Sequence, residues 1–219
     1  MAGILKVDQL QSDSNLALKI ASANVAFVDS SGLRVVGSNL SVAGTSVISS
    51  GKVPTTVMPA GTVLQVVQAT KTDTWSTSGF TYADITGLSV TITPTSVSSK
   101  FLVMTNVNAS SNYWKVYMNV VRNGTTLGLG DALSIRNRST ATFAQNASDM
   151  NAHGFILPLN VTLLDSPNTT STLTYKLQGA GRSNDGTWVM YVNRSVPDRD
   201  VGEYDDRMAS RLVVMEIAG

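Results

Sequence analysis

Carboxylates are concentrated near the C-terminal end of the chain. The segment 197–207 holds five of them: Asp198, Asp200, Glu203, Asp205 and Asp206. Two carboxylates facing each other across a sugar would make a glycosidase, and several oxygens on one tight loop would hold calcium. However, Arg199 and Arg207 are interleaved with these acids, and the Asp-x-Asp-x-Asp-Gly order of an EF-hand is absent. We expect a charged surface loop with local ion pairs, with calcium binding and glycoside cleavage as the alternatives.

The sequence offers few other groups for catalysis. His153 is the one histidine and there is no cysteine, which excludes thiol nucleophiles, disulfides and multi-histidine metal sites. No Gly-x-Ser-x-Gly motif accompanies His153. Gly128-Leu129-Gly130 and Gly179-Ala180-Gly181 are not followed by Lys-Ser/Thr, so we interpret them as turns or bulges rather than phosphate loops. We predict no catalytic residue, no metal site and no cofactor, and therefore not an enzyme.

Aromatic side chains are the other candidates for a functional role. Trp188 and Tyr191 fall inside strand-like sequence, which predicts a core or subunit-interface position. Trp75, Asn112 and Tyr113 lie beside loops, and we predict them as receptor contacts. The loops expected to face a receptor are 71–79, 109–113, 128–150 and 179–185.

Composition limits the partners. Charged residues make up 14% of the 219 residues and the net charge is +1, so no field attracts nucleic acid or an anionic membrane. No apolar run reaches the roughly 20 residues of a membrane span. The opening Met-Ala-Gly-Ile-Leu-Lys lacks the basic and apolar stretches of a signal peptide. We therefore expect neither nucleic-acid binding nor membrane insertion.

The elements that must carry these residues are strands. Period-two alternation rich in Val, Ile, Thr, Tyr and Trp predicts eight of them between residues 61 and 219. They are 62–69, 88–93, 100–108, 114–122, 155–164, 172–178, 187–193 and 211–217. Many strands separated by turns predict an all-β, jelly-roll-like β-sandwich head.

Individual residues refine this prediction. Asn123-Gly124 is a hairpin-turn signal, and Pro158 indicates an edge strand or a bulge. The last strand is expected in the middle of a sheet, and a helical turn or two near 142–150. Four methionines in predicted strands are expected to fill the core: Met104, Met118, Met190 and Met215.

Residues 1–60 form a different region. Short apolar alternations, such as Leu16, Leu18 and Ile20, are cut by small polar turns, and Pro54 and Pro59 mark a stiff connector. A lone meander of this size buries too little apolar area to offset its ordering entropy. We predict an N-terminal anchor and short shaft at 1–60 that pairs with identical copies, and a head at 61–219.

Several stretches together resemble one family. Gly61–Gln68 (GTVLQVVQ), Ile85–Pro94 (ITGLSVTITP), Lys100–Met104 (KFLVM), Tyr191–Ser195 (YVNRS) and the ending Val214–Gly219 (VMEIAG) look like the C-terminal module of fibre-like virion proteins of tailed marine and cyanobacterial phages. The opening Leu5–Leu10 (LKVDQL) is similar to the N-termini of such fibres.

The resemblance implies a homotrimeric virion fibre or spike, assembled in the host cytoplasm and located in the virion. Its N-terminus would bind other tail or capsid proteins through Ile4, Leu5, Val7 and Leu10. The head would attach to host-surface polysaccharide or protein. The alternatives are a capsid-attached head fibre or decoration protein with a structural role, and a polysaccharide depolymerase.

Overall fold

The structure of the protein is a computed structural model. It describes residues 16–20, 23–29, 32–35, 40–42, 45–48, 52–144, 155–181, 187–203 and 205–219. The chain divides into two compact units, Met1–Pro59 and Ala60–Gly219. The described part contains strands and one short 3-10 turn, Thr55–Val57. No helix in it is long and apolar enough to cross a membrane.

The first unit contains short antiparallel strands. They are β1 (Leu16–Ile20), β2 (Ala23–Asp29), β3 (Gly32–Val35), β4 (Leu40–Val42) and β5 (Thr45–Ile48). The first three form a meander, and the last two form a hairpin. The short strands predicted from the alternation in this region are confirmed.

The second unit contains eleven described strands. They are β6 (Val63–Lys71), β7 (Trp75–Ser78), β8 (Ala83–Ile92), β9 (Lys100–Ser111), β10 (Lys115–Arg122), β11 (Thr125–Leu127), β12 (Ala141–Ala144), β13 (Leu157–Asp165), β14 (Leu173–Ala180), β15 (Val189–Val192) and β16 (Ser210–Ile217). Every pairing among them is antiparallel.

These strands form a jelly roll. Three pairs of strands lie end to end. β15 and β16 both pair with β9, and β11 and β12 both pair with β10. β6 pairs with β16 and β7 pairs with β15, so these two follow each other along the combined β15 and β16. Counting each pair as one arm gives eight arms in chain order. The first sheet has the order 1-8-3-6 and the second 2-7-4-5, which is the arrangement of a double-sheet jelly roll. The predicted all-β sandwich of jelly-roll type is confirmed.

The core lies between the two sheets and follows the period-two alternation. Phe101, Val103 and Val107 of β9 face Met118 of β10 and Tyr175 of β14, and all five side chains are buried. Branched and aromatic side chains from both sheets therefore close the interior, as the alternation predicts.

A buried carboxylate secures one end of the sandwich. Glu216, near the end of β16, points inward and is fully buried. Its Oε1 accepts hydrogen bonds from Thr95 N (2.7 Å), Thr95 Oγ1 (2.8 Å) and Ser99 Oγ (2.5 Å), and its Oε2 accepts one from Gln65 Nε2 (2.5 Å). Burial alone would raise the pKa of Glu216, but the hydrogen bonds from Ser99, Gln65 and Thr95 outweigh it and hold the pKa below its ordinary value.

A second polar group joins the two sheets. Asp165, at the end of β13, accepts hydrogen bonds from Arg122 Nη1 (2.5 Å) and from Tyr175 Oη (2.7 Å), both in the opposite sheet. Burial and the hydrogen bond to Asp165 strongly raise the pKa of Tyr175, so its hydroxyl stays protonated and keeps donating.

The predictions of individual strands and turns are confirmed at several positions and corrected at others. Asn123 and Gly124 have φ of 44° and 87°, as a type I′ turn requires. Pro158 lies on β13, which pairs with β9 alone among the described strands, and β16 lies between β6 and β9. The helical turn predicted near 142–150 is wrong over its described part, because Ala141–Ala144 pairs with β10 as a strand. The strands β7, β11 and β12 were not predicted, since each is only three or four residues long.

Two further interpretations are corrected. Gly179 and Ala180 belong to β14 rather than to a turn. A Cβ on Gly179 would lie 2.8 Å from Met190 Sδ and 3.1 Å from the Trp75 ring, so this glycine permits close packing. Met118 and Met190 fill the core as predicted. Met104, which is 39% exposed, and Met215 lie instead on the outer face of the first sheet.

Candidate functional site

The second unit has two distinct ends. The chain enters it where Gly61 N donates to Ala218 O and Ala218 N donates to Thr62 O, both at 2.8 Å. We call this the entry end. Lys100, at the start of β9, pairs with Ile217 there, and Ser111, at the other end of β9, pairs with Met190. Eleven residues at about 3.3 Å each place Ser111 about 36 Å away, at the far end.

Aromatic side chains are exposed at the far end. Tyr113 and Trp188 stack, with ring centroids 4.4 Å apart and an interplanar angle of 28°. Tyr113 is 44% exposed, and the next residue, Trp114, is 49% exposed. We call Tyr113, Trp114 and Trp188 the far-end aromatic cluster. Such rings bury a large apolar area on contact and lose little side-chain entropy, so they suit binding.

Asn112 holds this cluster in place. Its Nδ2 donates to Thr187 O (2.9 Å), and its Oδ1 accepts from Val189 N (2.7 Å). The backbone N of Asn112 also donates to Val189 O at 3.3 Å. The turn carrying Tyr113 is thereby fixed to the segment carrying Trp188, so the side chain of Asn112 positions the aromatic rings.

The structure brings together two of the three predicted receptor contacts. Asn112 and Tyr113 are adjacent at the far end, whereas Trp75 is half-buried and packs against the core. Trp114 and Trp188 were not among the predicted receptor contacts, and Trp188 was expected in the core or at a subunit interface. Trp188 directly precedes β15, and its position just outside a strand was the signal in the sequence that could have identified it.

The predicted anchor residues and His153 lie outside the described residues: Ile4, Leu5, Val7, Leu10 and His153. The same holds for 145–150 and 182–185 of the predicted loops.

The acidic segment is an ion-paired surface loop, as predicted. Asp198 contacts Arg207 Nη1 at 2.5 Å and Arg194 Nη1 at 3.2 Å, and its hydrogen bond to Arg207 lowers its pKa. Burial opposes ionisation of Asp205, but N–H donors from Val201 and Arg199 outweigh it and lower that pKa as well. Among the described residues, no group of three or more acidic or histidine side chains is placed to hold a metal ion.

The outer face of the first sheet carries an uncharged apolar patch. Val66, Met215, Leu102 and Leu164 are register partners in one row across four strands. Val213 and Met104 are partners in the next row. We call these six residues the apolar band. With strands about 4.8 Å apart, it covers a few hundred Å², the size at which exposed apolar surface marks an interaction site.

No protein-family model and no curated protein match the chain. Among solved structures, it is similar to a protein in the structure of infectious bursal disease virus Gx strain, at 12% identity and a TM-score of 0.33, over 93% of this chain and 50% of that one. It is likewise similar to VP2 in the subviral particle of infectious bursal disease virus, at 12% identity and a TM-score of 0.29, over 91% and 50%. The chain thus spans about half the length of these viral proteins. Because both TM-scores are low, the function proposed below rests on this chain's own residues.

Proposed function

We propose that this chain is a structural protein of a virion, a fibre or spike whose head attaches to the host surface. The observation that carries the proposal is the far-end aromatic cluster. It lies about 36 Å from the entry end of the head, and Tyr113 and Trp114 are exposed there. Jelly rolls are also a recurrent architecture of viral and lectin domains.

The far-end aromatic cluster has the properties of a binding surface rather than of hydrophobic core residues that happen to be exposed. Tyr113 is stacked on Trp188, and the side chain of Asn112 hydrogen-bonds Thr187 and Val189, the two neighbours of Trp188. Because the rings are already ordered, binding costs little additional side-chain entropy. Rigid aromatic faces suit the apolar faces of sugar rings, which makes host-surface polysaccharide the favoured receptor and protein the alternative.

The head is proposed to work as a homotrimer that contacts its copies through the apolar band. The band has no charged member, so its complement must also be apolar, and three bands that meet around a three-fold axis satisfy that requirement. Short N-terminal strands shared among chains would hold the heads at high effective concentration, so a band of a few hundred Å² suffices. Three heads would present identical far ends, and weak contacts to a repetitive surface would add through avidity.

The test is adsorption by virions carrying a double substitution, Tyr113→Ala with Trp114→Ala. Each exposed ring contributes about 1 kcal/mol to contact, so adsorption should fall at least tenfold. Val97→Ala is the matched control, because Val97 is an exposed apolar residue between β8 and β9 at the entry end. Unchanged adsorption of the double variant, with thermal melting equal to wild type, would refute attachment through this cluster.

A second candidate function is favoured by the apolar band alone. If the band docks on another virion protein, the chain is a capsid-attached head fibre or decoration protein. The mass of the purified full chain separates the two functions. A trimer supports contact between copies, whereas a monomer leaves the band for a different protein of the particle.

A further inference from the structure

A polar groove lies on the outer face of the first sheet, beyond the apolar band. Its volume is about 530 Å³, within the range of small-molecule sites. Side chains from β9, β13 and β16 and from the segment before β16 line it. The ones used here are Asn106, Asn108, Asn160, Arg207, Met208 and Arg211.

One row of register partners supplies its polar groups. Arg211 on β16 pairs with Asn106 on β9, and Asn106 pairs with Asn160 on β13. Neighbouring strands are about 4.8 Å apart, so the guanidinium-bearing and outer amide-bearing positions are about 10 Å apart. That separation suits a ligand the size of one or two sugar rings.

The asparagines are fixed in a chain of hydrogen bonds. Asn108 Nδ2 donates to Ala209 O (2.8 Å) and to Asn106 Oδ1 (3.2 Å), and Asn106 Nδ2 donates to Asn160 Oδ1 (2.8 Å). Asn108 has thus used both amide protons. In the described part of the chain, the Nδ2 of Asn160 has no partner, so it remains available to donate a hydrogen bond to a ligand oxygen.

The two arginines of the groove differ. Arg207 is bound to Asp198 at 2.5 Å, which satisfies its charge. Arg211 is exposed, and within the described residues it makes neither an ion pair nor a side-chain hydrogen bond. A guanidinium is the side chain best suited to grip a carboxylate with two parallel hydrogen bonds. Of the two arginines that line the groove, Arg211 is therefore the one whose positive charge is available to bind an anion.

We propose that this groove binds a sugar that carries a carboxylate, as in an acidic polysaccharide. Arg211 binds the carboxylate, and the amide of Asn160 donates to ring hydroxyls. Met208, which is 43% exposed, contacts the apolar face of the sugar. The site is separate from the far-end aromatic cluster, and its binding does not depend on the virion role.

The test is binding of glucuronate, with glucose as the neutral probe, to the purified full-length protein by ligand-observed NMR and calorimetry. Glucuronate should bind, glucose should bind at least tenfold more weakly, and salt should weaken glucuronate binding. Arg211→Gln should reduce the affinity at least tenfold. Arg136→Gln, which removes another exposed arginine, is the matched control and should bind as wild type does.

The remaining outcomes also decide the question. No binding of glucuronate, equal binding of glucose, or an unaffected Arg211→Gln variant would overturn the proposal. Tighter binding of poly-glutamate than of poly-glucuronate would assign the groove to acidic peptide instead. Tyr113→Ala with Trp114→Ala should leave glucuronate affinity unchanged, so failure of the attachment proposal and failure of this one are distinguishable.

Discussion

Replacing Glu216 by glutamine tests how the entry end of the jelly roll is held together. The change keeps the shape of the side chain and removes its charge. In the best placement, the amide oxygen takes the position of Oε1 and keeps the bonds from Thr95 and Ser99. The new NH₂ group then faces Gln65 Nε2, a donor that lies 2.5 Å from Oε2 in the native structure. Rotating the Gln65 amide would turn its oxygen toward Thr93 O, to which Nε2 now donates at 2.8 Å.

The expected loss in the free energy of unfolding follows from these contacts. One charge-assisted hydrogen bond, worth about 2 kcal/mol, is lost, and three others become neutral bonds weaker by about 1 kcal/mol each. Part of that loss is offset because an amide costs less to bury than a carboxylate. We expect Glu216→Gln to lower the free energy of unfolding by about 3 kcal/mol. For a unit of this size, that is a fall of roughly 10 °C in melting temperature.

The effect should depend on pH in a defined direction. The folded-state pKa of Glu216 lies below its ordinary value of 4.5. Its contribution is therefore fully present above the unfolded-state pKa and is lost as the pH falls through the folded-state pKa. The difference between wild type and variant should be largest at neutral pH and shrink below about pH 4.5.

The assay is thermal melting followed by circular dichroism at pH 7 and at pH 3. Glu203→Gln is the matched control, because it makes the same chemical change at an exposed position and should alter stability by less than about 0.5 kcal/mol. A Glu216→Gln protein that melts within about 2 °C of wild type at pH 7 would refute the reasoning. So would a difference that stays constant between the two pH values.

Three other outcomes are expected. Asp165→Asn leaves Arg122 without its ion-pair partner between the sheets and should lower stability by about 3 kcal/mol in urea unfolding; an unchanged midpoint would contradict the clamp. Gly179→Ala places a methyl against Met190 and the Trp75 ring and should cost about 1–3 kcal/mol by the same measurement. Met104→Asp puts a charge in the apolar band and should reduce the solution mass measured by light scattering. Ser89→Asp, on the exposed face of β8, is its control, and a stable trimer of Met104→Asp would move the interface elsewhere.

The sequence by itself determined the strand content, and the reason is local. Alternation with period two places one face of each strand inward, as in β9, and this is visible without knowing the partner strand. Turn chemistry is equally local, because Asn123-Gly124 adopts positive φ at low cost whatever surrounds it. The ion pairing of the 197–207 loop followed from opposite charges a few residues apart.

Tertiary structure alone decided what depends on distant pairing. The alternation of β16 does not by itself show that Glu216 points inward. A buried carboxylate needs hydrogen-bond donors, and the four that Glu216 has come from residues more than a hundred positions away in the sequence. Likewise, Met104 and Met118 read alike in sequence, and only sheet order separates an outer face from the core. The apolar band and the Arg211 groove each join residues from three or more segments, and the far-end aromatic cluster joins two that are about 75 residues apart. Their existence depends on register and sheet order, which long-range packing fixes.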